Sequence, residues 1–170
     1  MSFSHHCWVV LFPLILSNAL HMWLVKKNVL AVLNRPIWEW GFGKNKTIRG
    51  FFLVPMFNMT FLFIFHGLFE LKSEESLIIG FILGCCYVLA ELPNSFMKRR
   101  LGIASGMSSQ QSSRMFLIID KTDSALGVSI AYFLLSDIAL LTAVELFFCS
   151  VLVHVLFSYL LVKLRIKSSF

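Results

Sequence analysis

Apolar stretches about as long as a bilayer is thick alternate along this chain with short polar segments. Residues 7–25 and 51–69 contain no Asp, Glu, Lys or Arg, and each is long enough to cross the hydrocarbon layer as a helix. A third such stretch covers 77–94. The remainder of the apolar sequence, 115–162, exceeds one crossing and has to fold back. Ser136-Asp137 interrupts it, and Asp is a favoured N-cap residue, so the pattern predicts a fourth helix over 120–135 and a fifth over 138–162. The predicted fold is all-α integral membrane, with five transmembrane helices in a single polytopic domain covering 1–170.

Composition agrees with that pattern. Hydrophobic residues make up 58% of the 170 and mean hydropathy is +0.80, more apolar surface than one small soluble fold can hide. Placing the amino terminus outside and the carboxyl terminus in the cytoplasm puts every Lys and Arg except Lys72 on the inner side, as the positive-inside rule requires. The net charge of +6 is thus topological before it concerns binding, and no nucleic-acid partner is expected. The basic n-region of a secretory signal is missing before residues 7–25, so this segment reads as a retained anchor. Cys7, Cys85, Cys86 and Cys149 lie in or beside apolar spans, with neither zinc nor disulfide spacing. His21, His66 and His154 also fall in spans; for His21 and His66 the expectation is a structural role. Gly80 and Gly84 match a small-residue helix-packing pattern, joining helices within the chain or, more weakly, two copies in a homo-oligomer.

Two inner-side segments carry candidate chemistry. Residues 41–50 hold three glycines with Lys44, Lys46 and Arg49, a loop able to offer backbone N–H groups and cations to phosphate oxygens. The phosphate-loop spacing of Walker type is absent, and an ordinary basic membrane flank would look much the same. The second segment, 96–119, has a Ser-, Gly- and Gln-rich middle at 104–113, expected to be a mobile tether or lid. Ahead of it, Glu91, Asn94 and Ser95 place polar groups at the inner end of the third span, where Pro93 should disturb the helix; polar groups at such depth are candidates for function. Behind it, Asp120 and Asp123 share a face if helical. They could hold Mg²⁺ together with phosphate oxygens, or cap a helix and pair with Lys121 or Arg114. Asp137 is assigned to a turn, and Glu145 is left without a role.

Three blocks carry a family resemblance: residues 43–50 (Gly-Lys-Asn-Lys-Thr-Ile-Arg-Gly), 91–103 (Glu-Leu-Pro-Asn-Ser-Phe-Met-Lys-Arg-Arg-Leu-Gly-Ile) and 120–127 (Asp-Lys-Thr-Asp-Ser-Ala-Leu-Gly). Together they resemble the CDP-archaeol synthase family, five-span cytidylyltransferases related to the larger CDP-diacylglycerol synthases. The Lys-Asp pair and His-Gly-Gly element of the larger enzymes are absent, and 104–113 stands in their place. The resemblance implies transfer of CMP from CTP to a lipid phosphate of the bilayer, giving a CDP-activated lipid and pyrophosphate at a cell membrane, with the lipid either ether- or ester-linked. It further implies Mg²⁺ on Asp120 and Asp123, with Lys98 and Arg99 among the catalytic groups. Phosphate contacts would come from Lys44, Lys46, Thr47, Arg49, Asn94, Ser95 and Arg100. A CDP-alcohol phosphotransferase is disfavoured, because Asp123 is followed by Ser-Ala-Leu where that signature needs Gly. A transporter or scaffold subunit is the non-enzymatic alternative.

Overall fold

A computed structural model describes residues 2–105 and 114–164. Five long helices dominate: α1 (Phe3–Lys26), α3 (Ile48–Ile64), α4 (Ser73–Arg100), α5 (Arg114–Leu135) and α6 (Leu140–Lys163), with a four-residue helix α2 (Glu39–Phe42) between the first two. At 1.5 Å per residue, α1 and α6 are each about 36 Å long. Helices α1, α4 and α6 are long and apolar enough to cross a membrane; α3 is apolar but shorter, and α5 carries charges in its first half. Val9, Val10, Leu62, Leu83, Val128 and Leu146 form the fully buried centre. Phe52, Phe148, Leu134 and Leu152 instead stand on outward faces, where water would be unfavourable and lipid is not.

Around the bundle the helices contact one another in the order α1, α3, α4, α5, α6, and α6 touches α1 sparsely to close the ring. Two seams are held by glycine. A Cβ on Gly80 would lie 2.8 Å from the Met59 Cα, and one on Gly84 would lie 2.5 Å from the Pro55 Cα; only hydrogen fits there. Asn58 reinforces this α3–α4 seam by donating to the Gly80 carbonyl at 2.7 Å. These glycines therefore serve packing inside the chain, the intramolecular role that the small-residue pattern allows. Gly127 does the same for α5 against Ala90 of α4, 2.5 Å from a built Cβ.

Several boundaries differ from expectation. The second helix spans Ile48–Ile64, and residues 66–69 form a 3₁₀ turn, so His66 lies outside the helix and bonds the Phe63 carbonyl through Nδ1. Pro93 does not break α4, which continues to Arg100: proline removes one backbone donor, a loss that a long helix packed in a bundle tolerates. Helix α5 begins at Arg114, six residues earlier than expected, so Asp120 and Asp123 are interior helix residues and cannot cap it. The turn at Ser136-Asp137 is present, with Ile138 N–H donating to the Ser136 carbonyl at 2.8 Å, although Ala139 occupies the N-cap position. Of the segment expected to be a tether or lid, 106–113 lies outside the described residues, as do Arg165 and Lys167.

Candidate active site

The carboxyl ends of α1, α4 and α6 and the amino ends of α3 and α5 meet at one end of the bundle, around a polar cavity of about 420 Å³. An ordered excursion between α1 and α3 walls it. Pro36 and Thr47 form a bridge, Ile37 N–H donates to the Lys46 carbonyl and Ile48 N–H to the Arg35 carbonyl, both at 2.9 Å. Thr47 caps α3, its hydroxyl accepting from Gly50 N–H at 3.3 Å. Gly43 has φ +85°, and a Cβ there would lie 2.3 Å from the Ser105 hydroxyl. That close approach lets Ser105 accept from the Lys44 N–H at 3.1 Å and from Arg99 Nη1 at 3.3 Å, tying the excursion to the end of α4.

Asn94 is at the centre. It is 5% exposed, and its amide nitrogen donates to both Asp120 Oδ1 and, at 3.1 Å, Asp123 Oδ2. One amide thus draws two like charges together, helped by the ion pair between Lys98 and Asp120. Asp123 also accepts from the Ser124 N–H at 2.7 Å. Across the cavity Lys46 pairs with Glu91. Burial alone would lower the Lys46 pKa, but the Glu91 carboxylate and its hydrogen bond, followed by Asp123 and Asp120, outweigh it and raise the pKa, so the ammonium persists at neutral pH. Ser95 returns its hydroxyl proton to the Glu91 carbonyl at 2.9 Å.

Of the eleven residues picked from sequence, the cavity lining gathers Lys46, Thr47, Asn94, Ser95, Lys98, Arg99, Asp120 and Asp123. Three are placed elsewhere. Lys44 is exposed and 3.5 Å from Glu39. Arg49 is 2% exposed and donates to the Val29 carbonyl at 2.8 Å and to Asn34 Oδ1 at 3.3 Å, which pins the turn after α1. Arg100 lies over the Phe96 ring, 5.1 Å from its centroid. Conversely, the lining includes His21, Asn18, Tyr87, Lys121 and His154, none of which carries a predicted site role. His21 was expected to be structural, yet its Nε2 is buried without a hydrogen-bond partner. Its position at the polar end of an apolar helix was the available signal; an apolar run with one histidine does not reveal which neighbour that histidine faces. Glu91 stood out in sequence as a polar group at depth, but its pairing with Lys46, 45 residues away, did not.

Among the described residues, no group of three or more His, Cys, Asp or Glu side chains is spaced to hold a metal ion by itself. The donor set nevertheless suits a hard cation that completes its shell with phosphate oxygens: two carboxylates are held together by the Asn94 amide nitrogen, and the amide oxygen of the same side chain is buried with no partner.

Fold and site together define a helical, membrane-associated protein with a cavity lined by charged side chains at one end of its bundle. The chain is similar to a CDP-archaeol synthase from Staphylothermus marinus, with 36% identity over 94 residues that make up 55% of this chain and 48% of the relative. This similarity bears out the family resemblance carried by the three sequence blocks; the chain spans about half the length of the curated relative it matches. No family model matches the chain, nor does any solved structure.

Proposed function

We propose that this protein is a CTP-dependent cytidylyltransferase that transfers CMP to a glycerol-phosphate lipid, giving a CDP-lipid and pyrophosphate. The observation that carries the reading is the convergence of Lys46, Lys98, Arg99, Asp120 and Asp123 on one cavity. The relative's name supplies the reaction class. All five long helices would cross the bilayer, with the cavity at the cytoplasmic face where CTP is found.

In this reading Lys46 and Arg99 neutralise the triphosphate, and Lys98 is shared between Asp120 and an incoming phosphate. Arg99 Nε, buried without a partner, provides an unused donor. The lipid phosphate attacks the α-phosphorus in line, so no side chain has to act as nucleophile or strong base; placement and charge neutralisation do most of the work. Asp120 and Asp123 would hold Mg²⁺, which when bound supplies charge neutralisation and a template for phosphate oxygens. Asn94 positions those two carboxylates.

Purified protein in detergent, supplied with labelled CTP, Mg²⁺ and a diacyl or dialkyl glycerol phosphate, should form a CDP-lipid and release pyrophosphate. Chelation with EDTA should stop turnover. Absence of product with both lipids would overturn the proposal, and product with only one would identify the linkage. A transporter or scaffold predicts no thermal stabilisation by CTP with Mg²⁺, whereas a CTP site gains stability by linkage.

A further inference from the structure

A second cavity lies behind the polar one. It is small, about 50 Å³, and almost wholly apolar, bounded by Leu14 and Ile15 of α1, Ala125 and Val128 of α5, and Val153 of α6. Asn18, Tyr87, His154 and Phe157 line both cavities, so the two meet at a shared waist. Polar groups cluster there. Asn18 donates to the Tyr87 hydroxyl at 3.0 Å, the Tyr87 ring is 6.3 Å from that of His154, and His154 Nδ1 lies 3.3 Å from the Ser124 hydroxyl.

The seams of the bundle decide where an amphiphile can enter. Between α3 and α4, and between α4 and α5, the helices approach too closely for even a Cβ at Gly80, Gly84 and Gly127. Between α5 and α6 the Lys121–Ser158 and Ser124–His154 contacts close the inner half. The α1–α6 seam is the sparsest between neighbouring long helices, and the apolar cavity sits behind it. A space of this size takes only a few small groups, since about 10–15 Å³ on the same measure is needed for a single water-sized group. It can hold the first carbons of a chain whose remainder passes outward into lipid, but not a whole chain.

We propose that the α1–α6 seam is the lateral entry for the lipid phosphate and that the apolar cavity holds the first carbons of one hydrocarbon chain. The Asn18–Tyr87–His154 waist then receives the oxygens that join chain to glycerol. The inference rests on the cytidylyltransferase reading for the identity of the amphiphile. Its geometry matches such a molecule end to end: cations and carboxylates for a phosphate, a hydrogen-bonding waist for linkage oxygens, an apolar chamber for a chain. Ile15 of α1 and Val153 of α6, both lining the chamber, become residues that set how bulky the chain can be near its linkage.

The test uses the full chain in lipid nanodiscs with a dialkylglycerol phosphate carrying a diazirine on the first few carbons of one chain. After irradiation, adducts should map to residues 11–15 and 150–157 and be lost on competition with unlabelled dialkylglycerol phosphate. In turnover assays, Val153→Phe and, separately, Ile15→Phe should raise KM for the lipid about tenfold and leave KM for CTP within twofold. Competed adducts at another seam, adducts spread over all lipid-facing positions without competition, or an unchanged lipid KM in both well-folded variants would overturn the subsite. If no CDP-lipid forms but competed adducts map to the α1–α6 seam, the subsite stands and the cytidylyl reading falls. If product forms and the adducts lie elsewhere, the reverse holds.

Discussion

Helix α4 makes two seams, each with a buried asparagine, and the two asparagines do different things. At the α3–α4 seam Asn58 donates to a backbone carbonyl beside Gly80, in a contact so close that only glycine fits. At the α4–α5 seam Asn94 donates to two carboxylates and opens on a cavity. Both amide oxygens are buried without a partner. Surroundings, not residue type, make the first a fastener and the second part of a charged site. Beside tightly packed backbone no ligand can reach the amide oxygen, whereas beside carboxylates and an open cavity a cation can.

This contrast can be broken by substitution, and the largest effect should come from the open seam. Asp123→Asn removes one of the paired carboxylates and should lower turnover at least 100-fold, in the range seen when one preorganised electrostatic group is lost, while the melting temperature stays within a few degrees; a fall of less than tenfold would remove Asp123 from the site. At the closed seam the sign should reverse between stability and activity. Gly84→Val drives side-chain atoms into the Pro55 backbone and should destabilise by about 1–3 kcal/mol or more, read by thermal unfolding in detergent, and a stable variant would show that α3 can yield.

Lys46→Met tests the far wall of the cavity. It leaves Glu91 partly buried without its cation, an expected cost on the order of 2 kcal/mol, between the exposed and fully buried limits, together with a rise in KM for CTP of about tenfold. Because the folded pKa of Lys46 is raised above its ordinary value of 10.5, the stabilisation is fully present below that value and lost only as pH rises through the elevated one. The difference in melting temperature between wild type and Lys46→Met should therefore be the same at pH 7 and pH 9; a difference that shrinks over this interval would contradict the pairing. The smallest effect is expected outside both seams. Arg100→Ala, which removes a cation stacked on Phe96, should change turnover less than twofold.

Much of this was legible in the chain. Long charge-free runs betray helices that suit lipid, because each buried polar group in hydrocarbon is costly and their absence is selected at every position. Polar groups that persist within or beside such runs, as Asn94, Asp120 and Asp123 do, announce themselves by the same cost. Arg49 and Arg100 show where the inference fails. A cation near a membrane edge has many partners within reach, and sequence does not say whether it will bond a turn, stack on a ring or face a cavity. His21 failed in the opposite direction, since its neighbours in sequence are apolar while its neighbours in space are Gly50 and the polar cavity.

The sequence by itself determined the helical class, the apolar character of the long helices and the three polar blocks, because hydrophobicity and local patterning are properties of consecutive residues. Only the tertiary structure decided that Asn94 would lie between Asp120 and Asp123, that Lys46 would meet Glu91, that Gly80 and Gly84 would be used within the chain, and that an apolar chamber would open behind the α1–α6 seam. Those outcomes depend on which helix faces pack together and how closely their backbones approach, and residues 20 to 140 positions apart must be brought into contact before either can be known.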